Sequence, residues 1–323
     1  MKKNILLIHT GGTISMNMNA ELGAVLPNKQ NPLKNEKEIL SKYANIIEME
    51  AFNLPSPHIT PLEMLTLRNL IVEQATKYAL DGVVITHGTD TLEETAYFLD
   101  LTTRYNFPIV LTGAMRSSNE LGADGVYNLV EAVRVACDEN AREKGVLVVM
   151  NDEIHSAYNV TKTSTSSVNT FQSPQYGPIG LVTKQRILIH QSPIKRQYVE
   201  IGQLEKRVAM LKIYAGMDRD LVDFIVQANY NGVVLEGLGQ GNVPPVVADA
   251  IEYLLHKKIP VVLVSRCFNG IAEGVYGYTG GGKSLEDAGV IFATGINGQK
   301  ARLKLLIGLN QKDAPLNLKK FFQ

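Results

Sequence analysis

Thr10-Gly11-Gly12-Thr13 sets two hydroxyls around two glycines, directly after the apolar run 5–8. The run reads as a buried strand, and the polar, aperiodic stretch behind it reads as loop. The chain therefore leaves a sheet edge through a turn where glycine lets the backbone approach a ligand closely. A threonine hydroxyl there is a nucleophile when a base lies within hydrogen-bond reach. Two further pieces supply the rest of such a constellation: His87-Gly88-Thr89-Asp90-Thr91, and Lys162 within Val160-Thr161-Lys162-Thr163. Singly they have ordinary explanations: a strand-to-helix turn, a helix N-cap, a surface lysine. Jointly, Thr13, Thr89, Asp90 and Lys162 make a nucleophile, a polar relay and a base. A lysine lowered in pKa by burial or cationic surroundings can take a proton from a threonine hydroxyl. The hydroxyl then attacks a carbonyl, and strand-end N–H groups stabilise the oxyanion.

Elements that would position these residues follow from periodicity. Residues 15–34, with Gly23, Pro27 and Pro32, read as a mobile loop. A strand is expected at 46–52. Thr60-Pro61-Leu62-Glu63 opens a helix, with Thr at the N-cap, Pro at the first position and Glu three residues after the cap. That helix should run to about Leu80. Strands follow at 82–87, 107–112 and 145–150. A helix capped by Asp90-Thr91 and another over about 123–140 alternate with them. Residues 151–190 turn to Ser, Thr, Asn and Tyr with short β-like runs, and 191–206 are polar and aperiodic. The pattern restarts with strands near 208–213, 232–236, 260–264 and 290–293, and a last long helix from about Gly298. Apolar strands alternating with helices indicate parallel sheets covered on both faces. The expected fold is two α/β domains. A larger N-terminal, parallel-sheet, Rossmann-like domain spans 1–190 and carries the nucleophile. A linker covers 191–207, and a smaller C-terminal α/β domain covers 208–323. In a parallel sheet ligands bind beyond the carboxyl ends of the strands. Thr13, Ser56, Thr89 with Asp90, Gly113-Ala114-Met115 and Asn151-Asp152 each follow a strand at that one edge.

Composition excludes several classes. The 323 residues are 45% hydrophobic and 20% charged, with no Trp, a soluble globular make-up. Lys plus Arg and Asp plus Glu number 32 each, so no basic footprint points to nucleic acid or an anionic membrane. Cys137 and Cys267 are better explained as free thiols than as a disulfide. Lys2-Lys3 before 5–8 is too short a pattern for a signal peptide, no run reaches membrane-spanning length, and the chain reads as cytoplasmic. Gly277 to Ser284 (GYTGGGKS) matches G-x-x-x-x-G-K-S, the P-loop pattern. A P-loop joins a buried strand directly to the helix it caps; here the nearest strand ends well upstream, and a glycine-rich loop closing over a pocket explains the same residues.

The chain resembles the bacterial L-asparaginases, the threonine amidohydrolases. The resemblance rests on TGGTIS, ITHGTDTLEETAYFLDL, TGAMRSSNELGADGVYNL, GVLVVMNDEI, NVTKTSTSSVNTF, YGPIG, GLGQGNVP and ATGINGQKARLKLL, in family order over nearly the whole chain. It implies hydrolysis of L-asparagine to L-aspartate and ammonia by two acyl transfers, with Thr13 as nucleophile and Thr89, Asp90 and Lys162 as the second catalytic cluster. It also implies that Asp90 binds the substrate α-amino group, Ser56 the α-carboxylate, and the Ala114 carbonyl the leaving amide. Asn242, in Gly239-Gln240-Gly241-Asn242, would complete the site of a neighbouring subunit in a homodimer or homotetramer. No metal or organic cofactor is implied. Three features depart from the family pattern. Residues 15–34 hold no lid tyrosine, Pro57-His58 stands where Gln-Asp is common, and Gly280-Gly281-Gly282-Lys283 stands where secreted members carry a glutamate. Tyr278, ahead of Tyr276, is the candidate for the missing tyrosine. A glutaminase-asparaginase of broader specificity and a non-catalytic asparagine sensor are the alternatives; intact Thr13, Thr89 and Lys162 speak against the sensor. Relatives that transfer amides on charged tRNA carry an extra N-terminal domain not seen in this sequence.

Overall fold

The computed structural model describes residues 2–19, 22–27, 33, 36–193, 196–312 and 316–323. The chain forms two compact units, Met1–Tyr198 and Val199–Gln323. In the first, the strands and helices run β1 (Lys3–His9), β2 (Met16–Asn19), β3 (Ala24–Pro27), α1 (Lys37–Leu40), β4 (Ala44–Glu50), α2 (Pro61–Lys77), β5 (Gly82–Thr86), α3 (Leu92–Thr102), β6 (Ile109–Thr112), α4 (Gly125–Ala136), β7 (Val146–Met150), β8 (Glu153–Ser156), β9 (Thr161–Lys162), β10 (Phe171–Gln172), β11 (Gly180–Val182) and β12 (Ile187–Ile189).

The main sheet has the order β12-β11-β8-β7-β6-β5-β1-β4. From β4 to β7 all neighbours are parallel. Strand alternation divides the core in two. Ile5 and Leu7 face one layer with Leu129, Ala132 and Val133 of α4. Leu6 and Ile8 face the other with Leu67 and Ile71 of α2 and Ala96 and Leu99 of α3. A strand with both faces buried has no polar positions to spare, which is why these segments are continuous apolar runs. The chain goes from β1 to β4 on one side, then crosses back to β5 on the other. The order reverses at β1, and the crevice of such a sheet opens beyond the strand ends at this point.

Four expectations change. The stretch 15–34 is no uniform loop: after a 3₁₀ turn at Thr13–Ser15, β2 and β3 pair as an antiparallel hairpin. Ala20, Glu21 and 28–32 with 34 and 35, Pro32 among them, lie outside the described residues, as do Ile194 and Lys195 of the expected linker. The stretch 151–190 carries β8, β11 and β12, which extend the sheet antiparallel. Helix α2 stops at Lys77 rather than Leu80, because Asp81 pairs with β1 through its N–H to the Asn4 carbonyl (2.9 Å) and its carboxylate to the Asn4 N–H (2.9 Å). The helix expected over 123–140 ends at Ala136, and a 3₁₀ turn, Glu139–Ala141, follows.

The second unit holds β13 (Val208–Lys212), α5 (Asp220–Gln227), β14 (Gly232–Gly237), α6 (Pro245–His256), β15 (Val261–Ser265), α7 (Gly282–Ala288), β16 (Ile291–Phe292), α8 (Gly298–Leu309) and α9 (Leu318–Phe322). Its four strands are parallel in the order β13-β14-β15-β16. Val222 and Ile225 of α5 and Val247, Ile251 and Leu254 of α6 bury one face of this sheet. Cys137 and Cys267 are both free. Among the described residues no helix is long and apolar enough to cross a membrane.

Candidate active site

The exit from β1 is tied to the exit from β5. Thr10 donates to the Thr86 carbonyl with its backbone N–H (3.1 Å) and with its hydroxyl (2.9 Å). That hydroxyl is buried and spent on the backbone, so of the two threonines in the turn only Thr13 is available. Gly11 and Gly12 take φ of +99° and +86°, the left-handed region. A Cβ on Gly12 would lie 2.2 Å from the Cα of Gly88, so the two backbones touch with no side chain between them. Thr13 opens the 3₁₀ turn half-buried, and its hydroxyl makes no hydrogen bond with any described residue. Ile14 beside it is buried in the core.

Behind the β5 exit, His87 is fully buried. Its Nδ1–H donates to the Gly88 carbonyl (2.8 Å), which leaves Nε2 to accept the Thr95 hydroxyl (2.9 Å). Burial pushes the His87 pKa down to about 4, the Gly88 carbonyl offsetting part of the shift, so the ring is neutral. Ser56, in the turn after β4, lies against Gly88. Its hydroxyl accepts the Asp90 N–H (3.2 Å), and its carbonyl accepts the Thr91 hydroxyl (2.8 Å). Thr91 is the N-cap of α3, but neither it nor Asp90 caps the helix with its side chain. The expected Asp90-Thr91 cap is thus replaced by two tasks that face the site.

Asp90 is bound instead by Lys162. The lysine Nζ lies 2.6 Å from the Asp90 carboxylate and donates to the Thr89 hydroxyl at 2.9 Å. Because the lysine fills a lone pair of the Thr89 oxygen, the hydroxyl proton of Thr89 is free to point elsewhere. The Lys162 side chain is 17% exposed and Asp90 57%, so the lysine is a sequestered ammonium rather than a surface one. It reaches the cluster from β9, a two-residue strand paired with β10 (Phe171↔Lys162). β9 is fixed to α3 by the Thr161 hydroxyl on buried Glu93 (3.1 Å).

Beyond β6, Ala114 is fully buried. Its carbonyl accepts no hydrogen bond from a described residue, an open acceptor in a buried place. Asn151 and Asp152, beyond β7, reach the same edge. The Asn151 N–H binds Asn128 (3.1 Å), the Asp152 N–H binds Glu131 (3.2 Å), and the Asp152 carboxylate takes the Tyr127 hydroxyl (2.7 Å). The hairpin after Thr13 is docked by Asn119, whose side-chain amide pairs with the Met18 N–H (2.7 Å) and carbonyl (2.9 Å) as a strand would. Sequence reasoning missed Glu93, Asn128 and Glu131. Their one signal is a polar residue four before a core residue on its helix: Ala132 follows Asn128, Val135 follows Glu131 and Tyr97 follows Glu93 at that spacing.

In the second unit, the Asn242 side-chain oxygen accepts the Gly282 N–H (3.1 Å) at the start of α7, and its amide nitrogen donates to no described residue. Tyr278 precedes that helix, exposed and tilted against Tyr276 with 5.8 Å between ring centres. Lys283 is engaged by Asp287 (2.6 Å) and Glu286 (3.5 Å) of its own helix. The Ser284 hydroxyl donates to the Tyr278 and Gly281 carbonyls, 2.8 Å each. These two side chains are spent locally, and β15 ends at Ser265, far upstream. The strand-to-helix junction that a P-loop needs is not what the described residues form here. No group of three or more His, Cys, Asp or Glu among the described residues could hold a metal ion.

Residues 4–195 match a family model described as "Asparaginase, N-terminal", and 207–322 one described as "Glutaminase/Asparaginase C-terminal domain". The sequence is 38% identical over 310 residues to a probable L-asparaginase of Deinococcus radiodurans, covering 95% of this chain and 92% of that one. It is 34% identical to a probable periplasmic L-asparaginase of Haemophilus influenzae, covering 99% and 92%. The fold superposes on the crystal structure of a probable cytoplasmic L-asparaginase from Campylobacter jejuni with a TM-score of 0.87, at 32% identity and 99% coverage of both chains.

Two buried groups at this edge titrate in opposite senses. His87, lowered to about 4, binds fewer protons folded than unfolded, so its contribution is lost as pH falls from about 6.5 toward about 4. Glu131 is 1% exposed. Burial, then the hydrogen bond and charge of Asp152, raise it to about 7. It binds more protons folded, so its contribution is complete below about 4.5 and lost as pH rises through 7. Glu131→Gln keeps the shape and removes the titrating carboxyl. Its unfolding free energy relative to wild type should therefore rise between pH 4.5 and 8, by up to about 3 kcal/mol. Urea unfolding across that range measures it, and a difference that stays flat with pH would refute the assignment.

Proposed function

The chain belongs to the asparaginase family, and from that premise we propose that it hydrolyses L-asparagine to L-aspartate and ammonia through an acyl-enzyme on Thr13. The observation that carries the reading is one contact. The turn bearing the free Thr13 hydroxyl lies backbone to backbone against the turn bearing Thr89, whose hydroxyl is bonded by Lys162.

In the first half, Thr13 Oγ attacks the side-chain amide carbon and its proton passes to the Thr89–Lys162 pair, the Lys162 ammonium giving one of its own protons to the Asp90 carboxylate as it takes one from Thr89. The carbonyl electrons move onto oxygen, where strand-end N–H groups receive them; those of Thr13 and Thr89 donate to no described residue. Collapse breaks the C–N bond, and the nitrogen leaves as ammonia after taking a proton back from the pair. The Ala114 carbonyl holds an N–H of the departing group. In the second half, water attacks the aspartyl ester and gives a proton to the same pair. The C–O bond to Thr13 breaks and Thr13 recovers its proton. Asp90 meets the substrate α-ammonium, for which its 57% exposure leaves it accessible, and Ser56 meets the α-carboxylate. Tyr278 is the candidate to cover the nucleophile.

A broader glutaminase-asparaginase is the second reading, favoured by the description of the C-terminal family model. Ammonia release from asparagine and glutamine, measured side by side, separates the two. We assign the protein to the cytoplasm on its free thiols and its likeness to the Campylobacter structure; cell fractionation tests this.

Thr13→Ala should fold as wild type and lose at least about a thousandfold in turnover, as single removals from a catalytic unit do. Near-normal ammonia release by a folded variant would remove Thr13 as nucleophile. Lys162→Met keeps the stem and deletes the charge. The lesion should fall on kcat, because proton transfer belongs to the transition state; a rise in KM alone would make Lys162 a binding residue.

We further propose a homo-oligomer built from two-fold dimers, with Asn242 of one subunit completing the Thr13 site of its partner; its unengaged side-chain nitrogen supports this. A two-fold interface makes that exchange twice. If Asn242→Ala is severely impaired alone, Thr13→Ala and Asn242→Ala chains should regain activity when unfolded and refolded together, because one site per mixed dimer then carries neither change. A mixture as inactive as its parents would place Asn242 in cis.

A further inference from the structure

The buried, open carbonyl of Ala114 needs an explanation of its orientation. Each of the two peptide planes that meet at Ala114 is held by a side chain from α4 or its N-cap. In the Gly113–Ala114 plane, the Gly113 carbonyl accepts the Asn128 amide (3.0 Å). In the Ala114–Met115 plane, the Met115 N–H donates to the Asp124 carboxylate (3.0 Å), and the next N–H, of Arg116, donates to its other oxygen (3.0 Å). Asn128 also donates to Asp124 (3.1 Å), so the two side chains lock each other. A trans peptide is planar, with N–H and C=O opposed. Tying the Met115 N–H to Asp124 therefore turns the Ala114 carbonyl away from α4. Asp124 stands at the N-cap but does not cap; its carboxylate is given to the loop instead. Gly125 completes the arrangement. A Cβ there would come 2.9 Å from Ile14 and 3.4 Å from the Ala114 methyl, so Ala114 packs beside the residue that follows Thr13.

We propose that Asp124 and Asn128 are a positioning pair that aims the Ala114 carbonyl at the leaving nitrogen. Toward the substrate they act through the backbone on one bond, the one to the departing N–H; the Asn128 side-chain oxygen also holds the Asn151 N–H (3.1 Å). This rests on the reading of Thr13 as the nucleophile of an amidase. A merely structural pair would, when disturbed, harm every reaction of the site alike. A positioning pair for the amide nitrogen would not, because an ester has no N–H to place.

The test compares L-asparagine with L-aspartate β-methyl ester, whose leaving group is methanol. The quantity is kcat/KM, which reports the acylation half where the leaving group still matters. Asp124→Asn and Asn128→Asp each keep the side-chain volume. The first sets two amide donors against each other; the second sets a carboxylate against the Gly113 carbonyl and Asp124. In each variant kcat/KM for asparagine should fall about 100-fold, in the range of a lost oxyanion donor, and that for the ester by less than about threefold. The ratio of the two substrates on one preparation is independent of how much protein is folded, so partial unfolding does not blur it. Equal losses on both substrates, or no loss on asparagine, would overturn the positioning role. Wild-type protein inactive on both substrates would overturn the amidase reading and this inference with it.

Discussion

The site depends on a contact between two glycines. Neighbouring parallel strands normally part as they leave a sheet, because the first side chains of each loop need room. Here the exits of β1 and β5 stay in van der Waals contact at Gly12 and Gly88. Gly88 in turn touches Ser56 beyond β4, since a Cβ there would lie 2.7 Å from the Ser56 side chain. Three exits are thus drawn together at the reversal of strand order. A residue with a Cβ at position 12 would combine a disfavoured φ with an overlap against backbone, which has no flexible end to move aside. This one contact brings the turns of Thr13, Thr89 and Ser56 together.

Lys162 arrives by a different route, on β9, which pairs with β10 in a two-stranded sheet of their own. A two-residue strand is a weak anchor by itself, so its neighbours hold it. Glu93 binds Thr161, Val160 is fully buried, and beyond β10 the buried Ser173 meets His155 of β8 (3.0 Å). The ion pair that results has one partner more than half exposed. Such pairs add about 0–1 kcal/mol to stability. That is too little to explain why so many groups converge to hold the lysine. The arrangement makes sense as placement of a charge beside the Thr89 hydroxyl.

How much of this was legible in the sequence follows from how each part is stabilised. The parallel strands are buried on both faces, so they are written as apolar runs, and the residues after them fall at one edge without further information. Strands β8 to β12 are two to four residues long; β8, β11 and β12 take their stability from pairing at the sheet edge, and β9 and β10 from pairing with each other. A segment that borrows its partner carries little local signal, and 151–190 reads as polar coil with β-like fragments. The same holds for hairpin β2–β3, whose outer partner is Asn119, about a hundred residues away. Buried polar groups were the least legible. Asn128, Glu131 and Glu93 read as ordinary helix-surface residues, because what makes them necessary is a backbone group or hydroxyl on another element.

The two glycine-rich stretches show why context decides chemistry. TGGT follows a buried strand, and its glycines serve an approach of backbone to backbone that leaves the Thr13 hydroxyl without a partner among the described residues. GGGKS has the richer pattern, yet its physics is local. Gly280, at φ +81°, fits against the Val243 carbonyl, Gly281 folds back on Tyr278, and α7 begins at Gly282, one residue before the lysine. The helix is only seven residues long. Carboxylates three and four residues along neutralise Lys283, the spacing at which helical side chains meet, and the Ser284 hydroxyl closes the turn behind it. A phosphate would have to displace all of these bonds from a loop with no strand feeding it. What the stretch can do is hold Tyr278 on a loop pinned to Asn242 through the Gly282 N–H. The two second-unit residues implied by the resemblance are therefore mechanically joined, and a change at Asn242 acts on the Tyr278 loop as well as on whatever its free nitrogen meets.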